Sequence, residues 1–417
     1  MKKIRIGSHF SGIGSINEAI LKYNLPFEVT YSIEWDKKTQ EAYKQIYNTP
    51  YTYGDISKIN PKELPEVDII MTSPPCQAYS NAGLKKGMED DRGKILLETF
   101  KIIEFQKPKI VIFENVPNIK TINNGKVFDF ICKTFEIMDF KIYTKNLNSI
   151  NYGVPQNRER VFIIAIDKNI SKRFYFPRKQ QSNITLKDLL CKEAIGVRKP
   201  PKIEEFKKLF PIKKGRLTQS HERENYNHEM SKRVYKPYIS PTLVCSNDIF
   251  FYIDKNFRTL TSKERFKLHG FTKETINKLL SLNLGSTRYI KITGNTITVN
   301  VLGALLKQIL KLNINYTEEA RKTGTEEIIY NYGLEYIEKH LIKTKRSYNI
   351  PKHLPLKEKQ ILSAKKTHQR TKEVNTQIIE KTIETLKATN SKVTQYKIIK
   401  YSGISKNTVK KYLKTIS

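Results

Sequence analysis

The stretch "MTSPPCQAYS" (71–80) carries the first group able to do covalent chemistry. Apolar residues run into it from Val67, two prolines stiffen the chain, and Cys76 follows at the end of the run. A thiol becomes a strong nucleophile where it is exposed and where positive charge or a helix N-terminus favours its thiolate. Taken alone, Cys76 reads equally as a small buried hydrophobe, the commoner fate of a single cysteine. Glu114, in "ENVPN", ends another apolar run, and burial there would hold its carboxyl protonated and ready to donate. Arg158 and Arg160, in "QNRERVF", are spaced by two and share one face of a strand; a solvated, phosphate-facing edge is the simpler reading. Cys132, inside "FDFICKTF", is expected to be an inert core residue.

A second group of residues has the types that hold a nucleotide. Glycines 12 and 14 in "HFSGIGS" follow a strand pattern and precede a helix, so the backbone can approach a ligand at a helix N-terminus. Alone this is also an ordinary tight turn, short of a GxGxxG fingerprint. The next strand ends in Glu34, where an acid can bind ribose hydroxyls. Trp35, the single tryptophan, follows and offers a face to an adenine ring. In "YGDIS", Asp55 can accept from an adenine amino group. Trp35 as core filler and Asp55 as a helix cap are the structural alternatives. Three such residues in successive loops favour an adenosine-containing cofactor.

Residues 1–170 supply the elements that must position these groups. "KIRIGSHF", "FEVTYSIEWD", "VDIIMTSPP", "PKIVIFENV", "KIYTKNLNS" and "RVFIIAID" read as strands, and "INEAILKYN", "KKTQEAYKQIYN", "KILLETFKIIEFQ" and "GKVFDFICKTFEIMDF" as helices. The alternation predicts an α/β fold with a doubly wound, mostly parallel sheet and a ligand crevice beyond the strands' carboxyl ends. "SGIGS", "EWD", "SPPCQ" and "ENV" all stand at strand ends and should share one rim. Periodicity fades over 171–257 into basic, proline-punctuated sequence, expected to form a smaller irregular domain. It returns over 258–313, where a helix opens on a Thr261 cap and closes on Gly270. Residues 314–417 read as a basic helical extension, with a helix-turn-helix pattern at 393–416 turning at Ser402–Gly403.

Charge narrows the function class. The 417 residues hold 75 Lys and Arg against 41 Asp and Glu, a net charge of +34. A surplus that large points to a polyanionic partner, and nucleic acid leads because no amphipathic anchor or lipidation site is visible. Lysine-favouring codons explain many of the lysines but not the shortage of acids. Over 341–417 the balance is 19 Lys and Arg to 4 Asp and Glu. Cys76, Cys132, Cys191 and Cys245 stand far apart with no CxxC pair, which argues against a zinc ribbon or disulfide framework and suits a reducing compartment. With no signal peptide and no apolar run that spans a bilayer, a cytoplasmic protein without metal or membrane partner is expected.

In chain order, Phe10-Ser11-Gly12-Ile13-Gly14, Pro74-Pro75-Cys76-Gln77, Glu114-Asn115-Val116 and Gln156-Asn157-Arg158-Glu159-Arg160 resemble the motifs of prokaryotic and phage DNA (cytosine-5)-methyltransferases. "RTLTSKERFKLHGF" (258–271) and "ITGNTITVNVLGALLKQI" (292–309) resemble that family's last two motifs, so the likeness spans roughly 4–312. It implies the Rossmann-like fold of S-adenosylmethionine-dependent methyltransferases: a catalytic domain at 1–170, a target recognition domain at 171–257, and a return segment at 258–313 that completes the first. It also implies that Cys76 attacks carbon 6 of a cytosine flipped out of duplex DNA, whose carbon 5 then takes the methyl group of S-adenosylmethionine. Glu114 would protonate or hydrogen-bond N3, Arg158 would assist at the exocyclic oxygen and carboxylate, and Arg160 would support the pocket. Phe10, Gly12, Gly14, Glu34, Trp35, Asp55, Ile56, Pro75, Leu96 and Asn295 would hold the cofactor. Residues 80–94 would form a mobile lid.

Departures from the family pattern are few. Ser8 and Ser15 replace an acid and a doubled glycine around the first motif, and Pro74 replaces a phenylalanine. A monomer acting on double-stranded DNA is expected, in a restriction-modification or phage-protection setting with a cognate restriction endonuclease as further partner. Two rivals stay open at this point. One is a tRNA-directed cytosine-5 methyltransferase; the other is a non-catalytic DNA-binding regulator, against which the intact Cys76, Glu114 and Arg158 argue.

Overall fold

Seven strands form the central sheet of the computed structural model. They are β1 (Ile4–His9), β2 (Phe27–Ile33), β3 (Tyr51–Tyr53), β4 (Ile69–Thr72), β5 (Ile110–Asn115), β6 (Phe140–Asn148) and, past a two-residue strand β7 (Gln156–Asn157) outside the sheet, β8 (Glu159–Asp167). Their order is β3-β2-β1-β4-β5-β8-β6. The structure describes residues 3–75, 91–195, 197, 199, 217–219, 233–235, 239–245, 249, 251–253, 256–312, 314 and scattered positions between 376 and 413.

The apolar runs that read as strands are buried on both faces, as strands sandwiched between helices must be. Along β5, Ile110 and Ile112 enter one core while Val111 and Phe113 enter the other. Val161 to Ile166 of β8 alternate in the same way. The first core is closed by α1 (Ser15–Lys22), Ala42 of α2 (Lys37–Ile46) and four helices within 262–310; the second by α3 (Asp91–Gln106) and α4 (Lys126–Ile137).

Strands β3, β2, β1, β4 and β5 run parallel, whereas β8 is antiparallel to both β5 and β6. The link from β6 to β8, residues 149–158, is too short for the crossover a parallel pair requires. The chain winds outward from β1 to β3, then returns to β4 beside β1 and continues to β5. The winding direction therefore reverses between β1 and β4, where such sheets open their crevice. β3 is three residues long, too short for its periodicity to register in the sequence.

Short elements fill the middle region. They are α5 (Leu186–Leu189), the antiparallel pair β9 (Leu217–Gln219) and β10 (Arg233–Tyr235), β11 (Ser240–Pro241) parallel to β7, and the antiparallel pair β12 (Phe251–Ile253) and β13 (Asn256–Arg258). Leu186, Leu243, Ile249, Phe251, Leu260 and Leu268 make a small core of their own. Helices α6 (Ser262–Lys267), α7 (Lys273–Ser281), α8 (Ser286–Asn295) and α9 (Val299–Leu310) follow. Thr261 caps α6 in a capping box with Glu264, and the chain leaves it through Gly270 at φ +81°. α9 packs along α1, and Lys22 Nζ reaches across to the Gly270 carbonyl (2.7 Å) and Asn300 Oδ1 (2.8 Å).

By internal contacts the chain divides into two units, 1–343 and 344–417. In the second, helical positions occur at 376, 379–380, 383–384, 409–410 and 412–413, and Tyr412 donates to Glu380 Oε1 at 3.0 Å. The Ser402–Gly403 turn of the expected helix-turn-helix lies outside the described residues.

The end of β2 is pinned to α8 by an ion pair. Arg288 Nη1 lies 2.8 Å from each Asp36 carboxylate oxygen. Burial alone would raise the Asp36 pKa, but hydrogen bonds from Thr39 and Arg288 hold it at about 2. That is below the unfolded value of about 3.9, so the stabilisation is complete above about pH 4 and fades as pH falls toward 2. Arg288→Ala is expected to cost about 1–2 kcal/mol at pH 7, a few degrees of melting temperature, and distinctly less at pH 3. Equal losses at both pH values would show that the ion pair is not the source.

Candidate functional site

The rim begins where β1 ends. Phe10 and Gly12 both take left-handed backbone angles, φ 54° and 53°, so the chain doubles back within three residues. That turn aims the Gly12 N–H at Glu34 Oε2 (2.9 Å), while the Asp36 N–H donates to Glu34 Oε1 (2.9 Å). Burial raises the Glu34 pKa, and these two N–H groups oppose the rise. A Cβ built on Gly12 would meet nothing within 4 Å, and the same holds at Gly54 on the neighbouring loop. Gly14 is different: a Cβ there would run into the rings of Tyr47 and Tyr43. Helix packing and a φ of +81° both require glycine at this position.

The other cofactor candidates fall in varied places. Trp35 is 73% exposed, which removes the core-filler alternative. Asp55 is exposed and caps a 3₁₀ turn, its Oδ1 accepting from Ser57 N (3.0 Å) and Ser57 Oγ (2.8 Å). The capping role foreseen for it is therefore real. Ile56 and Leu96 are buried, Leu96 in the core between α3 and the sheet, and Phe10 packs against that same core. Pro75 is exposed after a buried Pro74. Asn295, exposed at the end of α8, accepts from Cys245 Sγ at 3.0 Å. Beneath the rim, His9 Nε2 meets Tyr31 OH at 3.0 Å, and burial pulls His9 down to about 3, so it stays neutral.

Cys76, Gln77 and the expected lid through residue 90 lie outside the described residues. The chain leading to the thiol is nonetheless fixed. Asn115 Nδ2 donates to the buried Pro74 carbonyl at 3.0 Å, while Asn115 Oδ1 accepts from Val116 N at 2.9 Å. The end of β5 thus holds the end of β4. Glu114 is 6% exposed, and burial raises its pKa against the pull of Arg160 and Arg158.

Antiparallel β8 explains how an arginine reaches that carboxyl. Glu114 pairs with Phe162, so Arg160, two residues earlier in β8, shares its face at the rim. Arg160 Nε lies 3.1 Å from Glu114 Oε1. Arg158 departs from the role expected of it. Only 2% exposed, it donates Nη1 to the Leu243 carbonyl and Nη2 to the Gly294 carbonyl, both at 3.0 Å. Two of its donors are therefore spent on backbone carbonyls, while Arg160 sits on the acid. Gln156 is likewise structural: its Nε2 donates to the Leu268 carbonyl (2.8 Å) and its Oε1 accepts from Leu243 N (3.2 Å).

Sequence reasoning missed Arg265, which is 3% exposed on α6. In "SKERFK" it reads as one more charge on a solvated face, and no local signal marks it as buried. Cys132 sits in α4 with its thiol pushed up to about 12 by burial, a poor nucleophile. Among the described residues no group of three or more His, Cys, Asp or Glu could hold a metal, and no helix is long and apolar enough to cross a membrane.

Comparison with known proteins adds four likenesses. The C-5 cytosine-specific DNA methylase family matches residues 4–311. The type II methyltransferase M.NgoBI of Neisseria gonorrhoeae is 30% identical over 301 residues, covering 72% of this chain and 90% of that one. M.HhaI of Haemophilus parahaemolyticus, also a type II methyltransferase, is 36% identical over 186 residues, 44% of this chain and 56% of its own. Among solved structures, the methyltransferase EhMeth of Entamoeba histolytica shares the fold at a TM-score of 0.58 and 18% identity, over 76% of this chain and all of that one.

Proposed function

The chain belongs to the C-5 cytosine-specific DNA methylase family, and on that footing we propose how its residues divide the work. The reaction is transfer of a methyl group from S-adenosylmethionine to carbon 5 of cytosine in DNA. The rim fits an adenosine-containing donor, because the space over Gly12 is open, the Glu34 carboxylate lies beside it and Trp35 is free of the core. Glu34 would hold the ribose hydroxyls, Trp35 the adenine face and Asp55 the adenine amino group. Phe10, Ile56, Pro75 and Leu96 would provide apolar walls, with Asn295 closing the pocket. Gly14 contributes by setting the turn. Bound there, S-adenosylmethionine supplies an electrophilic methyl group.

Cys76 adds its thiolate to carbon 6 of the flipped base, and the π electrons of the 5,6 double bond are pushed toward carbon 5 as Glu114 donates to N3. Carbon 5 then takes the methyl group, which would leave S-adenosylhomocysteine behind. Loss of the carbon 5 proton to water, with return of the N3 proton to Glu114, expels the Cys76 thiolate and restores the ring. Arg160 orients Glu114, and Arg158 supports the site through the backbone it grips. One observation carries this reading: the buried Glu114–Arg160 pair stands beside Asn115, whose amide fixes Pro74 two residues before the thiol.

Residues 171–257 serve target recognition, supported by their Arg, Lys, His, Asn and Tyr content, the types that read base edges and hold phosphates. The type II relatives support a restriction-modification setting, and the proposal adds a cognate endonuclease as partner and a cytoplasmic monomer as the working form. Incubation of methyl-labelled S-adenosylmethionine with duplex DNA or with tRNA tests the substrate. Label at carbon 5 of cytosine in duplex DNA is the expected result, and label confined to tRNA would overturn the DNA assignment.

A further inference from the structure

Three consecutive residues of the middle region, just past β11, are held one by one. The Leu243 carbonyl accepts from Arg158 Nη1 at 3.0 Å. The Val244 carbonyl accepts from Arg265 Nη2 at 2.9 Å, while Arg265 Nε donates to Thr293 Oγ1 at 2.8 Å. Cys245 Sγ donates to Asn295 Oδ1 at 3.0 Å. Gly294 closes the seam from the other side. Its carbonyl accepts from Arg158 Nη2, and a Cβ there would collide with the backbone of Val244 and Cys245. The 243–245 segment and the end of α8 are therefore in backbone contact, with two guanidinium groups stitched across them.

Arg265 is the unusual member of this seam. Its hydrogen-bond acceptors are the Thr293 hydroxyl and the carbonyls of Val244 and Ile290, and among the described residues no carboxylate pairs with it. A buried cation held only by neutral groups bears a desolvation cost that a solvent-facing arginine avoids. What it gains is geometry, since a planar fork can fix several acceptors at once where an ammonium cannot. The acceptors it fixes belong to the 243–245 segment and to α8, the helix that ends in Asn295.

Resting on the reading of 171–257 as the recognition region and of Asn295 as a cofactor contact, we propose that Arg265 is a positioning residue that locks the recognition region's 243–245 segment to the end of α8. Target DNA and methyl donor then bind against one shared support. Loosening that support weakens both binding events. The chemical step is spared, because among the described residues the hydrogen bonds of Arg265 go to Thr293, Val244 and Ile290 and none goes to Glu114.

The full chain carrying Arg265→Met or, separately, Gly294→Ala tests the seam from its two sides. At a temperature where circular dichroism shows the variant folded, each should raise KM for duplex DNA and KM for S-adenosylmethionine by about fivefold or more, with kcat within about twofold. Arg265→Lys, which keeps the charge and a donor but not the fork, should fall between parent and Arg265→Met in both constants. Unchanged KM values, a rise in one alone, or a fall in kcat that matches the rise in KM would each overturn the shared support. If Arg265→Met does not fold, Gly294→Ala and Arg265→Lys decide the matter. Absence of methyl transfer by the parent chain would instead count against the assigned reaction.

Discussion

Replacing Cys76 with serine is expected to abolish methyl transfer, with kcat falling more than about 10⁴-fold while duplex DNA and S-adenosylmethionine still bind. The argument is one of ionisation. A thiol gives a useful fraction of thiolate near neutral pH, whereas a serine hydroxyl at the same place gives almost none without a dedicated base. Stability separates this role from the blander one. If Cys76 were a small hydrophobe in the core, serine would bury a hydroxyl at a cost of about 1–3 kcal/mol, and the folded fraction would keep its activity. If it stands in the loop beyond Pro75, the melting temperature should move little while turnover is lost. Methylation of cytosine by the serine variant would remove Cys76 from the mechanism, whatever the melting temperature shows.

How far the molecule could be read from its sequence depended on whether each feature is local. Strands such as β5 were legible because burial on both faces leaves an unbroken apolar run, "IVIF", that needs no partner to be recognised. The direction of β8 was not, since a buried strand has the same pattern whichever way it runs; only the short 149–158 link hints at reversal. Glu114 could be picked out as an acid that ends such a run. Arg158 and Arg160 could be placed on one face by their spacing, but not told apart. What separates them is the Leu243 and Gly294 carbonyls, 85 and 136 positions away, which claim Arg158 and leave Arg160 to the acid. The packing demand at Gly14 was hidden for the same reason. Its constraint comes from Tyr43 and Tyr47 on the next helix and its cap, and not from the turn in which it was read.

Glu114→Gln should lower kcat by about 10²- to 10⁴-fold and also change the shape of the pH profile. The side chains match in size, so packing at the end of β5 is preserved, and an amide oxygen can still accept from Arg160. What glutamine cannot do is give up a proton to N3. In the parent chain, burial raises the Glu114 pKa against Arg160 and Arg158, so the proton is held to higher pH than on a free carboxyl. Rate should therefore climb with pH as the Cys76 thiolate forms and fall again as Glu114 ionises, a bell in kcat/KM whose alkaline limb belongs to Glu114. The glutamine variant should keep the rising limb and lose the falling one. Stability carries the same signature. With its folded-state pKa above the unfolded one, Glu114 contributes stability at low pH that is lost as pH rises through the folded value, and glutamine has no such loss. Melting curves of the two proteins should then draw together, or cross in favour of the variant, as pH rises. An alkaline limb that survives in Glu114→Gln, or a turnover equal to the parent's, would show that the proton at N3 comes from elsewhere.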